Sequence, residues 1–395
     1  MSDVEACVRF LQELIRIPSL PGEEGPLAER VVAEMRRLGY DEVWTDEAGN
    51  VIGLLRGRGE APAVMFNTHL DHVDVGDPEA WPYPPYGGER HEGRVWGRGA
   101  VDIKGPLAAQ VYGVARRFRA GERPPGDVFV TCVVQEEIGG VGARHLLQHV
   151  RPPYVIVGEP SNNELRRGHR GRTELVLHVR GRSAHASAPE RGVNPLEVVA
   201  RFIVGLRSLT MRQHPELGGS TVTPTLIRTD QSSANVIPGE AWLTCDWRNT
   251  PGETAEDARQ ALQALADRSL VEGASATVTV PTFRRTTYTG LTVELPAAAS
   301  AFLLPFDHPA LQAARQVLAD VYAAPPPVGT WRFATDGGHF ARAGLTVIGF
   351  GPGEERLAHT VNESIAVADL EAALAGYAAL AYDWPVRLAG RQVSG

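Results

Sequence analysis

The chain is poor in cysteine: Cys7, Cys132 and Cys245 are the only three in 395 residues, they lie far apart, and they form no C-x-x-C pair. That excludes a disulfide framework, leaves buried thiols as the reading for all three, and makes a reducing cytoplasm the expected compartment. Long apolar runs are missing as well. Nothing approaches the ~18 consecutive apolar residues of a membrane span, and no basic segment followed by an apolar core opens the chain, so no membrane partner and no secretion signal are expected. Positive charge is not in excess. Lys+Arg total 39 against 47 Asp+Glu, the net charge is −8, and the arginines are interspersed with acids. A nucleic-acid binder carries a basic face to neutralise phosphates, so no nucleic-acid partner is expected. There is no internal repeat, no G-x-S-x-G elbow of a serine hydrolase, and no H-E-x-x-H pair.

What is present is an ordinary globular composition, 43% hydrophobic and 22% charged. The length suits two domains, because single cores stop growing at roughly 250–300 residues. Helical spacing of apolar residues runs from Val4 to Ile15 and stops before Pro18, and recurs over 27–38 up to Gly39. Residues 42–55 read as a hairpin turning at Gly49-Asn50, and 63–67 as a short strand running into His69-Leu70-Asp71-His72-Val73-Asp74. A helix is expected over 106–119, a buried strand over 128–134, and another over 154–157. These strands end at His69, at Gln135-Glu136-Glu137-Ile138-Gly139-Gly140 and at Gly158-Glu159-Pro160. Ligands of open α/β sheets sit beyond the carboxyl ends of the strands, so three such endings point to one shared site.

The pattern changes after Gly171. Residues 173–180 alternate apolar and polar, followed by a helix over 195–209, strands at 221–228 and 241–247, a helix over 255–267 and a strand at 276–280. That β-α-β-β-α-β order suits an inserted α+β domain of ferredoxin-like type. From about Phe283 a Pro- and Ala-rich crossing leads back to helix–strand alternation at 311–322 and 345–350, with a last helix over 367–384. The expected fold is therefore α/β, a mixed-sheet α/β/α catalytic domain over 1–172 and 284–395, with the inserted domain over 173–283.

His69, Asp102, Glu137, Glu159 and His359 are candidate ligands of one metal centre, since imidazole and carboxylate suit Zn²⁺ and similar divalent ions. Two ions ~3.5–4 Å apart need a bridging carboxylate. Asp71, two residues past His69, suits the role of fixing its tautomer through a carboxylate hydrogen bond. Each residue alone has a plain alternative. Glu136-Glu137 also fits a solvated turn, Asp102 a helix cap, His359 an ordinary loop histidine, and His72 and Asp74 surface polar residues.

Five motifs in order carry a resemblance: His69-x-Asp71; Gly97-Arg98-Gly99 with Asp102-Ile103-Lys104-Gly105; Glu136-Glu137; Gly158-Glu159-Pro160; and His359. The chain resembles the di-zinc aminoacylases and exopeptidases, such as succinyl-diaminopimelate desuccinylase, acetylornithine deacetylase and carboxypeptidase G. The resemblance runs through essentially the whole chain. Gly181-Arg182-Ser183-Ala184-His185 looks like that family's lid histidine motif, and Asn235-Val236-Ile237-Pro238-Gly239-Glu240 with Asp246-Trp247-Arg248 like its second lid motif. Gly168-His169-Arg170-Gly171-Arg172 and Phe350-Gly351-Pro352-Gly353 look most like a subgroup linked to selenium metabolism. The chain departs from the pattern at Thr68, Ile103 and Gly105-Pro106, none of them a ligand position.

The resemblance implies that His69 and Glu159 hold one ion, Glu137 and His359 the other, and that Asp102 bridges them. It implies Zn²⁺, with Co²⁺ or Mn²⁺ as alternatives, two ions per subunit, and a cis peptide after Asp102. Glu136 is then the general base and Asp71 the residue that orients His69. His185 reaches the site of a partner subunit, in a homodimer formed through the lid. The implied reaction is hydrolysis of the amide bond of a small N-acyl amino acid or dipeptide-like substrate bearing a carboxylate. Arg248, Asn235, Arg170, Thr335 and Gly351 are the candidate substrate contacts. Alternatives on the same fold are a ureido or carbamoyl C–N hydrolase and a non-catalytic, metal-stabilised binding protein.

Overall fold

The computed structural model describes residues 2–392. Its larger sheet has nine strands, and four of them, 128–133, 64–69, 154–157 and 346–350, lie side by side and parallel. These are short, β-rich and buried along nearly their whole length, as strands covered on both faces must be. The period of two assigns the faces. Val64, Phe66, Val130 and Ile348 enter one apolar layer with helices Asp3–Ile15, Gly25–Arg37, Lys104–Arg119, Pro309–Tyr322 and Val367–Gln392. Met65, Val133, Val155 and Val347 enter the other with helices Val141–Leu146 and Gly337–Arg342. The result is the expected α/β/α sandwich.

Parallel register does the positioning. His69 pairs with Val133 and Asn67 with Val157, so His69, the Glu136-Glu137 turn and Glu159 all emerge at one edge.

The second sheet is antiparallel, in the order Thr221–Thr229, Glu240–Arg248, Arg172–Arg180, Ser275–Thr279. Alternate residues Thr173, Leu175, Leu177 and Val179 are buried, the last three in a separate core under helices Pro195–Gly205 and Ala255–Ser269. This is the ferredoxin-like order expected from the sequence.

Three elements depart from expectation. Residues 282–296, read as an irregular crossing, form a hairpin, Thr282–Thr286 with Thr292–Pro296, turning at Gly290 (φ +92°). Its alternation is real, but Arg285 stands at an inward position and disguises it. The last helix continues through Pro385 to Gln392, because Leu388 is buried on the core and anchors the turn beyond the proline. The helix at Pro195 ends at Gly205 and tightens into a 3₁₀ turn. Among the described residues no helix is long and apolar enough to cross a membrane, and all three cysteines are free and buried.

Candidate metal centre

His69 closes its strand and is buried. Its Nδ1–H donates to the backbone oxygen of Asp71 (3.0 Å), which turns the Nε2 lone pair toward Asp102 Oδ1 (3.1 Å) and Glu159 Oε1 (3.6 Å). On the other side, His359 Nε2 lies 3.1 Å from Asp102 Oδ2 and 3.0 Å from Glu137 Oε1. Asp102 thus offers one oxygen to each half. Ligand atoms of His69, Asp102 and Glu159 lie within 4.8 Å of one another, and so do those of Asp102, Glu137 and His359.

The electrostatics match this donor set. Burial opposes charge on His69, yet Asp102 and Asp71 lift its imidazole well above the ordinary range. Hydrogen bonds to Asp102 and Glu137 hold His359 at about 10. Burial would raise the Asp102 carboxyl, but His359 and His69 bring it below the ordinary range. Both imidazoles face carboxylates that call for a cation. Neutral histidine and carboxylate donors in two sets sharing one carboxylate fit a pair of divalent ions.

The supports come from elsewhere in the chain. Asp71 stands with its carboxylate 3.4 Å from His69 Nδ1, and that carboxylate also accepts the backbone N–H of Glu136 (Oδ1, 3.0 Å) and Glu137 (Oδ2, 3.1 Å). It therefore ties two ligand loops together, while its own backbone oxygen orients the imidazole. Glu363, fully buried and not anticipated, accepts the N–H of Val101 (2.9 Å) and Asp102 (3.0 Å) and pairs with Arg98 (2.6 Å). The Asp102–Ile103 peptide is cis. Lys104, the only lysine of the chain, is buried with Nζ donating to Ile17 O at 2.7 Å. His72 is buried rather than superficial and accepts the Ser19 N–H (3.0 Å); Asp74 is exposed.

A cavity of about 360 Å³ opens beside the centre. Glu136 lines it, and among the described residues its carboxylate makes no hydrogen bond; burial, then Asp336, pushes its carboxyl well up. Thr335 lines it too, held by His169 Nε2, which accepts its N–H at 3.1 Å. Asp336, the next residue, lines it as well. It is buried, its Oδ2 has no partner among the described residues, and burial pushes its carboxyl up to about 7. No local pattern marks it, because only the fold brings it opposite Glu136.

The remaining expected contacts stand apart from the cavity. Arg248 Nε pairs with Asp246 (2.6 Å), which also takes Arg172 (2.7 Å). Arg170 donates to Gly219 O (3.1 Å). Gly351 is a packing glycine, where a Cβ would stand 2.4 Å from Glu159 O. His185 and Asn235 are neighbours on the lid, through the 184–185 and 236–237 bridge, and both are exposed; His185 Nδ1 contacts Ser187 Oγ at 2.7 Å. In the single chain neither reaches the metal ligands.

With the geometry in place, comparison with known proteins is direct. The model of peptidase family M20/M25/M40 matches residues 65–383. The YgeY protein of Escherichia coli K12 is 32% identical over 383 residues, covering 95% of this chain and 94% of the relative. A succinyl-diaminopimelate desuccinylase of Alkalilimnicola ehrlichii is 30% identical over 362 residues, covering 87% and 89%. Among solved structures, the aminopeptidase PepT of Bacillus cereus superposes with a TM-score of 0.76 at 19% identity, covering 96% of this chain and 98% of that one.

Proposed function

The chain belongs to peptidase family M20/M25/M40, a family of metal-dependent hydrolases, and from that premise we propose that it cleaves the amide bond of a small N-acyl amino acid or dipeptide-like substrate. One observation carries the reading: Asp102 presents one oxygen to each ligand set while Glu136, free of any hydrogen bond among the described residues, faces the adjoining cavity.

Two divalent ions, Zn²⁺ foremost, would be held by His69 and Glu159 on one side and Glu137 and His359 on the other, with Asp102 between. Bound there, they would supply Lewis acidity for the scissile carbonyl and bring the pKa of water down to about 7. Glu136 takes the proton from the attacking water and delivers it to the leaving amine. Asp71 keeps Glu136 and Glu137 apart in their tasks by holding both backbone amides. Asp336, lining the same cavity, adds to the upward push that burial gives the Glu136 carboxyl.

The subunit acts as a homodimer through the lid, in a reducing cytoplasm. The strand Thr221–Thr229 is an open sheet edge and carries exposed Leu226 and Ile227, a ready template for a second copy. Exposed His185 is then placed to steady the oxyanion in the partner's site. The buried free thiols support the compartment.

The test is Glu136→Gln. It retains wild-type metal content and loses roughly 10²–10⁴-fold in kcat, the scale of general-base catalysis. Unchanged activity at equal metal content refutes the role. Product analysis settles the reaction class, since ammonia release in place of a carboxylic acid marks a ureido hydrolase. Silence of the metal-loaded protein across an N-acyl amino acid panel marks a binding protein.

A further inference from the structure

The turn 134–142 carries Glu136 and Glu137, and side chains from three other segments hold its backbone. Asn50, fully buried, takes both ends: its Oδ1 accepts the Val134 N–H and its Nδ2 donates to Gly142 O, each at 3.0 Å. Glu24, also fully buried, accepts the Gln135 N–H at 3.2 Å, and Asp71 accepts the next two amides. Gln135 has φ +55°, in the left-handed region, which a residue other than glycine keeps only where its surroundings enforce it.

The hairpin over 282–296 is an arm that leaves the lid and lies against the neighbours of these supports. Its root joins the lid sheet: the Ala297 N–H donates to Pro281 O and the Glu174 N–H to Ala297 O, both at 2.9 Å. Its tip seats Tyr288 over Gly25 and Gly49, the residues next to Glu24 and Asn50. Tyr288 Oη donates to Gly49 O (3.0 Å) and Thr289 Oγ1 to Glu47 O (2.6 Å). A Cβ would stand 2.3 Å from the Tyr288 ring at Gly49 and 3.1 Å from it at Gly25, so the two glycines leave open the socket that the ring fills. Midway along the arm, Thr286 O accepts a hydrogen bond from Gln135 Nε2 at 2.8 Å.

That bond is what the Gln135 side chain contributes. The side chain is buried, and its Oε1 has no partner among the described residues. An apolar side chain of the same length would fill the space without leaving a bare acceptor, which is costly when buried. Gln135 is also absent from the cavity lining, so it acts on Glu136 and not on substrate.

We propose that Gln135 is a positioning residue for Glu136. Its bond to Thr286 O ties the turn of the base to the lid-borne arm, and the seating of Tyr288 thereby fixes where the Glu136 carboxylate stands in the cavity. This role rests on the amide-hydrolase reading, in which Glu136 is the base.

The experiment compares metal-loaded wild type, Gln135→Met, Tyr288→Ala and the double variant on the N-acetyl amino acid that wild type cleaves fastest from a panel. Gln135→Met is expected to keep its metal content and KM and to lose about 10–100-fold in kcat, the scale of a small misplacement of a reacting group. Tyr288→Ala lowers kcat as well, and the double variant falls no further than the weaker single variant, because both cut one connection. Lost metal content in Gln135→Met, a loss confined to KM, unchanged kcat in either single variant, or losses that multiply in the double variant overturn the proposal. If wild type cleaves nothing in the panel, the hydrolase reading fails. Hydrogen exchange of the metal-loaded proteins then still decides whether the arm holds the turn. Faster exchange at 134–140 in both single variants, with the strand 64–69 unchanged, supports the tie, and wild-type exchange at 134–140 overturns it.

Discussion

Glu363 is the residue on which the position of Asp102 depends, and its removal has a calculable cost. It is fully buried, pairs with a nearly buried Arg98, and accepts the N–H groups of Val101 and Asp102 on one oxygen. In Glu363→Ala the guanidinium loses its only carboxylate among the described residues, and removing one member of a buried pair costs about 3–5 kcal/mol because the other charge stays buried. Glu363→Gln keeps an acceptor for the two amides but loses the charge, so its cost is about 1.5–3 kcal/mol, the value of a hydrogen bond to a charged group. Glu363→Ala frees the Val101–Asp102 backbone, and loss of such support behind a candidate ligand is expected to lower metal affinity about 10–100-fold, with a smaller effect in Glu363→Gln. Two assays separate the effects. Urea unfolding in chelator reports the fold without linkage to the metal, and an unchanged m-value with a lower midpoint identifies lost stability. Competition with a chromophoric chelator reports the metal. A Glu363→Ala protein within about 1 kcal/mol of wild type would refute the ion-pair argument, on the scale of an ordinary surface change. Lost stability with unchanged metal affinity would refute the link to Asp102.

Two further outcomes follow from the same structure. Burial pushes the His169 imidazole down to about 4, and it is held neutral between Arg170 O, to which Nδ1–H donates, and the N–H of Thr335. Its folded value lies below the unfolded value near 6.5, so its contribution is complete above pH 6.5 and is lost as pH falls toward 4, about 3 kcal/mol at full extent. Urea midpoints of metal-free His169→Gln between pH 7 and 4.5 are expected to fall less steeply than wild type, and an identical acid limb counts against this. Leu226→Asp with Ile227→Asp puts charge on the exposed lid edge and is expected to give a folded monomer, seen by light scattering, with activity lost alongside dimerisation. Full activity in a monomer removes the role assigned to His185.

The candidate metal ligands were readable before folding because each sits at a strand end or in a motif with fixed neighbours. His69, Glu137 and Glu159 follow buried apolar runs, and a parallel register has no choice but to bring such endings to one edge. The lid was readable for a similar reason: its period-two strands and intervening helices admit one compact arrangement. Of the candidate substrate contacts, only Thr335 lines the cavity beside the centre. Motif position pointed to Arg248, but a cross-strand neighbour, Arg172, and Asp246 form a local ion network that engages it.

The sequence by itself determined the α/β/α layering, the inserted lid and the five candidate ligand residues that the fold brings together, because these rest on local periodicity and on motifs contiguous in the chain. Only the tertiary structure decided what surrounds them. Glu363 lies 261 residues from Asp102, Asp336 shares a cavity with Glu136 only through the fold, and the hairpin over 282–296 reads locally as a Pro- and Ala-rich crossing. Charge pairing, burial and cavity walls are properties of distances in space, and contacts of such long sequence separation leave no period for a sequence to display.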